Sequence, residues 1–227
     1  MTTSGEDRVS ATAVSRMNFA NQHLMTAREA ALRVHEVEKA NTGWGPFFEQ
    51  IIQDTSTAVM LSVAALEAYL GELRFDPGAH FPGHSTKFAQ RCLDLVERSP
   101  ILERVQFYVL MRGNTPNMGK RPGQSMPVLI ELRNELTHFE PAWHEPKNRH
   151  AKLSATLGGF VERTPFLDAS DAVFPRQWMS YSVAKWAVES VKDFVIELAE
   201  QNDWPCGYQK LSERFALPRS PTSGDAS

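Results

Sequence analysis

Residues 46–74 read PFFEQIIQDTSTAVMLSVAALEAYLGELR, and this stretch decides the fold. Phe48, Ile51, Ile52, Thr55, Val59, Val63, Leu66, Leu70 and Leu73 recur at steps of three and four. That spacing lines up on one side of a helix of 3.6 residues per turn and marks a continuous buried face. Pro46 suits a helix start, and Asp76-Pro77-Gly78 supplies a stop. The pattern predicts a long helix from about Pro46 to Arg74.

Working outward, the same period recurs on both sides. Met17, Ala20, Leu24, Ala27, Ala31 and Val34 predict a helix from Ser10 to Ala40, ended by Asn41-Thr42-Gly43. Ser85 is a candidate cap for a third helix through Phe88, Leu93 and Val96, which Pro100 interrupts or restarts toward Met111. Arg112 to Met126 reads as a loop rich in Gly, Pro and Asn. A helix follows from Pro127 to His138, stopped before Pro141. Glu140 to Arg176 is long and irregular, with a short helix near His150 to Leu157. Val183, Ala187, Val191, Phe194, Val195 and Leu198 predict a last helix from Gln177 to Gln201.

No segment alternates as a strand would. The expected fold class is therefore all-α, an up-and-down helical bundle of about five main helices with long loops. Residues 1–10 read as a disordered N-terminus, 11–205 as the helical domain and 206–227 as a C-terminal tail. The last stretch, from Pro218, is rich in Ser, Thr, Pro and Asp.

The totals limit function. A net charge of -3 and a pI near 6.2 exclude a uniformly basic surface, while leaving room for a local basic patch. Cys92 and Cys206 form no metal-type pair and suit a reducing compartment, with Cys92 as a small apolar helix residue. Met1 to Asp7 lack the apolar core of a signal peptide, and no apolar run reads as a bilayer span. The cytoplasm is the expected location, with no membrane partner.

Chemistry concentrates in Arg133-Asn134-Glu135-Leu136-Thr137-His138. On a helical wheel Leu129, Leu132 and Leu136 take the core side. Asn134 and His138, four apart, share the roughly opposite face. Arg133 lies between, long enough to reach toward His138. Ile130 falls near the Asn134 side, which marks that side as a cleft or a partner surface. Cleaving RNA without a metal needs a proton shuttle near the ribose 2′-hydroxyl or the leaving 5′-oxygen, and histidine serves near neutral pH. It also needs a fixed cation on the phosphoryl oxygens, which the planar fork of arginine provides. Asn134 can orient the phosphate or the imidazole. A histidine at a helix C-terminus is favoured in its protonated form.

An Arg-Asn pair followed by three residues and His, on a late helix of an α-bundle, resembles the Arg-x4-6-His motif of the HEPN ribonuclease-like superfamily. Ala64-Ala65-Leu66-Glu67-Ala68-Tyr69-Leu70 is similar to the second helix of many HEPN-like proteins. The resemblance spans about Phe48 to Gln201. It implies a bundle of four or five helices, a homodimer, and a composite RNase site in which two copies of the motif face each other. Competent members are metal-independent endoribonucleases, and many act as toxins, abortive-infection factors or phage-defence effectors. A cognate antitoxin protein is then a possible partner. One toxin subgroup carries Tyr two residues after the His; this chain has Glu140 there, so modification at that position is not expected.

Arg133, Asn134 and His138 are thus the candidate catalytic residues. Glu67 borders the apolar stripe of the second helix, where an unpaired carboxylate is costly. It either pairs with Arg133 and fixes it, or reaches water. Arg112, Lys120 and Arg121 before the motif helix, and Lys147 and Arg149 after it, are candidate RNA-phosphate contacts. Solvated loops are the plainer reading of both groups. Trp143, His144 and His150 could join them by stacking. His138, His144 and His150 fit no common zinc spacing, Pro141 and Pro146 break any shared helix, and no cysteine lies near. No metal and no cofactor is expected. Trp186 and Phe194 read as core residues.

Overall fold

In a computed structural model, residues 18–140, 150–210 and 212–219 are described. Among them the chain is helix and turn with no strand, an all-α bundle. The helices are α1 (Phe19–Ala40), α2 (Phe48–Leu73), α3 (Pro77–His80), α4 (Thr86–Val96), α5 (Ile101–Met111), α6 (Ser125–Thr137), α7 (Ala151–Leu157), α8 (Tyr181–Asn202) and α9 (Gly207–Lys210). Six have 11 residues or more, one more than expected, because Pro100 divides α4 from α5 by capping the latter in an extended conformation.

The long helices α1, α2 and α8 pack together and hold most of the core. The stripe read on α2 is buried through Phe48, Ile51, Thr55, Val59, Val63, Leu66, Leu70 and Leu73. Fully burying an aliphatic side chain contributes roughly 1.5–3 kcal/mol, so this face anchors the bundle. Ile52 departs from the expectation. It is 37% exposed.

Polar contacts fix how the three helices meet. Arg33 on α1 donates to Asp54 Oδ1 on α2 through Nη2 at 2.7 Å and Nε at 3.0 Å. Glu72 on α2 accepts the Ala20 backbone N–H at the start of α1. Glu38 on α1 accepts the Tyr181 backbone N–H at the start of α8, at 2.7 Å. Each carboxylate thereby satisfies a donor that an isolated helix terminus leaves without a partner, or pairs a cation across helices.

Several boundaries differ from the sequence reading. Helix α6 begins at Ser125, before Pro127, because proline is tolerated in a first turn whose N–H groups have no helical acceptor. Helix α8 begins at Tyr181, after Ser180, whose hydroxyl accepts the Val183 N–H; Val173–Gln177 is a separate kinked turn. Ser85 caps α4 as expected, accepting from the Phe88 N–H. The expected start of the first helix, Ser10 to Met17, lies outside the described residues, as does the N-terminus at residues 1–10.

Two expectations need correction. The segment after residue 205 is not simply a tail. Tyr208 and Phe215 are buried in the core, with Tyr208 donating to Ala20 O and Arg28 donating to Ala216 O. Tyr181 Oη and Lys185 Nζ both donate to Pro218 O. Isolated aromatics in a polar stretch carry no periodicity, so their burial was invisible in sequence. Second, α2 is long and apolar enough, by length and composition, to cross a membrane. Here half of its residues are buried inside the bundle, as in a core helix.

Candidate functional site

The site is built on the C-terminal half of α6. Met126, Val128, Leu129 and Leu132 are buried and seat the helix, while Leu136 and Ile130 are half-buried against the core. At its start Ser125 is buried and accepts from Trp186 Nε1 at 3.4 Å. At its end the backbone N–H of His138 donates to Asn134 O at 2.9 Å, and His138 leaves helical geometry with φ -120° and ψ 37°. The Thr137 hydroxyl donates to Arg133 O at 2.8 Å and lies 3.7 Å from Met60 Sδ on α2. Asn134 and His138 are both exposed, on the face anticipated for them.

Arg133 turns to α2. Its Nη2 lies 3.2 Å from Glu67 Oε1, so the carboxylate at the edge of the α2 stripe does pair with the motif arginine. That ion pair holds the guanidinium against α2, and a charged carboxylate is a strong partner for it. Arg104, on α5, approaches the same Glu67 oxygen at 3.9 Å. This third member was not identified in the sequence. Three helices thus bring two guanidiniums to one carboxylate, with net charge +1. The side chains of Arg104, Arg133 and Glu67 are 15%, 24% and 39% exposed, so the cluster sits at the surface without being freely solvated.

On the other flank of the motif, Glu135 Oε2 stands 3.1 Å from Nδ1 of His150. The His150 ring is buried, stacked on Phe139 at 5.9 Å and met edge-on by Phe174 at 5.0 Å. His150 is therefore a buried residue joining α6 to α7, which corrects its reading as a polar loop residue open to RNA.

Around the site the surface is partly apolar. Ile52 and Met60, two turns apart on α2, are 37% and 36% exposed, and Phe139 is 45% exposed.

Among the described residues, the other candidate cations Arg112, Lys120 and Arg121 form no ion pair with Glu67. The loop 112–124 runs along α8. Asn114 donates to Gln201 O near the C-terminal end of that helix. Arg121 lies farther along, with its guanidinium 4.8 Å from the Phe160 ring centroid and Nη2 donating to Gly159 O. Arg121 also edges a cavity of about 390 Å³ with Trp186, Ser190 and Glu189. Arg112 is half-buried at the end of α5, and Lys120 is exposed. The start of α6, near Arg121, is about 20 Å along the helix axis from His138. Lys147, Arg149, Trp143 and His144 lie outside the described residues. Among the described residues no group of three His, Cys, Asp or Glu side chains is placed to hold a metal ion.

No model of a known protein family matches the chain, and no curated protein and no solved structure matches it either, so the HEPN resemblance rests on the residues quoted for it.

Proposed function

We propose that the chain is a HEPN-type endoribonuclease of the cytoplasm that cuts RNA without a metal, at a composite site formed where two copies meet. One observation carries this reading. A single helix end presents Asn134 and His138 to solvent while Arg133, five residues before His138, is held at the surface by Glu67. These are the parts that phosphodiester transfer requires: a proton shuttle, a fixed cation and a polar orienting group. The exposed apolar residues Met60, which Thr137 approaches, and Phe139, next to His138, support burial of this face against a second copy.

In this mechanism the ribose 2′-oxygen attacks phosphorus as it loses its proton, forming the 2′,3′-cyclic phosphate. The bond from phosphorus to the 5′-oxygen breaks, and that oxygen takes a proton to leave as a hydroxyl. In this reading His138 of each copy carries a proton at one of these two oxygens. Arg133 holds the phosphoryl oxygens as their charge grows. Roles as a toxin or phage-defence effector, with an antitoxin as partner, belong to the same reading.

A second reading is a non-catalytic HEPN-like module that binds a protein or RNA. It is favoured by the pairing of Arg133 with Glu67, an ion pair that ties α6 to α2 within one protomer. The test is cleavage of single-stranded RNA in EDTA, with product ends identified. The enzyme reading expects 2′,3′-cyclic phosphate and 5′-hydroxyl ends and no action on DNA, which lacks the nucleophile. A folded dimer that leaves RNA intact selects the binding module.

A further inference from the structure

Glu67 carries two arginines where the family motif supplies one. Arg133 Nη2 and Arg104 Nη2 lie 3.2 and 3.9 Å from the same oxygen, Glu67 Oε1. Neither guanidinium has another carboxylate within 4.0 Å among the described residues. The Nε atoms of both are buried without an acceptor. Each guanidinium has five N–H donors, and one shared carboxylate leaves most of them unused. The excess positive charge sits on the α2 and α6 surface, at the end of α6 that carries Asn134 and His138.

We propose that Arg104 is a second phosphate-binding residue, and that Arg104 and Arg133 together anchor one backbone phosphate of an RNA strand. The inference rests on the reading of this face as an RNA site and extends it to a residue on another helix. Glu67 keeps the two guanidiniums apart and aligned in the free protein. An arriving phosphate, with three or more acceptor lone pairs facing the cluster, takes up donors that Glu67 cannot serve. Arginine suits this task because its fork grips two oxygens at once; a lysine at position 104 would act only as a point charge.

The experiment measures binding apart from cleavage. A short, end-labelled, single-stranded 2′-O-methyl oligoribonucleotide has the phosphates of RNA and no free nucleophile. Its affinity for the full chain is read by fluorescence anisotropy across a salt series. For single strands each neutralised phosphate contributes about 0.7 to the slope of log affinity against log salt. Arg104→Gln should lower that slope by about 0.7 and weaken binding about fivefold near 0.1 M salt. Arg104→Lys should restore the slope and only part of the affinity. Glu67→Gln offers an independent arm that leaves both arginines in place. It removes the competing carboxylate and should tighten binding about as much as Arg104→Gln weakens it. Circular dichroism and thermal melting establish that each variant is folded.

The inference is overturned if the wild type shows no saturable binding, or if folded Arg104→Gln keeps the wild-type slope and affinity. It is also overturned if Glu67→Gln fails to tighten binding. Should the wild type bind as described yet leave unmodified RNA intact, the catalytic reading fails and the anchor stands. Should RNA be cut while Arg104→Gln binds like wild type, the catalytic reading stands and the anchor fails.

Discussion

Replacing Glu38 by glutamine should stabilise the protein at neutral and alkaline pH and leave it unchanged in acid. Glu38 lies on α1 where α8 begins, accepting the Tyr181 backbone N–H at 2.7 Å. Burial raises its carboxyl from the ordinary 4.5 to about 7, with a further push from nearby Glu162; the N–H bond from Tyr181 works the other way and is outweighed. The folded state therefore holds this proton more tightly than the unfolded chain. The stabilisation this affords is fully present below pH 4.5 and is lost as pH rises through about 7. A difference of that size corresponds to about 3 kcal/mol between the two ends of the window. Glutamine keeps an oxygen for the Tyr181 N–H and never ionises, so it escapes the loss. Urea melts of the wild type and Glu38→Gln at half-unit steps from pH 4 to pH 9 isolate this one group, since other titrations cancel in the difference. The curves should coincide near pH 4 and separate to about 3 kcal/mol by pH 8, roughly 6–12 °C in Tm for a chain of this size. Parallel curves across the window would show that Glu38 ionises freely in the folded protein and that the burial argument is wrong.

Three further outcomes are expected. His138→Ala should slow cleavage of single-stranded RNA in EDTA by about two to four orders of magnitude, and Arg133→Ala by a similar factor, while Glu67→Ala should do less; His138→Ala cleaving as fast as the wild type would mean that the site lies elsewhere. Light scattering should show a homodimer, and Met60→Glu, which places a charge among Ile52, Met60 and Phe139, should shift it to monomer without loss of helicity; a wild type that stays monomeric at all practical concentrations counts against the composite site. Phe215→Ala should cost roughly 3–5 kcal/mol in chemical denaturation, as for any fully buried phenylalanine; a cost near zero would mean that residues beyond 205 contribute nothing to the core.

The helices were legible because their apolar residues repeat at the helical period over many turns. The same regularity made the pair of Glu67 and Arg133 legible. A carboxylate at the border of a buried stripe, and an arginine between the two faces of its own helix, each need a partner, and each supplies the other's need. Arg104 escaped because α5 is short, and nothing in its own sequence says which helix it packs against. Its signal was weak but present: it lies directly beside Val105 and one turn after Ile101, both buried, so its side chain starts at the core edge. His150 escaped for a different reason. It lies among prolines, histidines and basic residues that read as a polar loop, and no pattern in that stretch announces the packing of Phe139 and Phe174 against the ring. Wheel geometry gives Arg133 a starting direction between two faces of α6, and the carboxylate of Glu67 decides where the guanidinium is held.

The closing contacts between α1 and the segment from α9 onward have a consequence for how fast this bundle forms and how long it lasts. Tyr208 with Ala20, and Arg28 with Ala216, each join residues 188 positions apart. Helical bundles usually fold quickly because most of their contacts are local. Here the last piece of the core must find the first across nearly the whole chain, and that loop entropy is met before any contact rewards it. Docking of Tyr208 and Phe215 is therefore expected late, after the barrier, once α1, α2 and α8 have met. Contacts made after the barrier leave the folding rate almost untouched and slow unfolding instead. The closing segment then acts as a clasp, setting the lifetime of the native state more than the speed of reaching it.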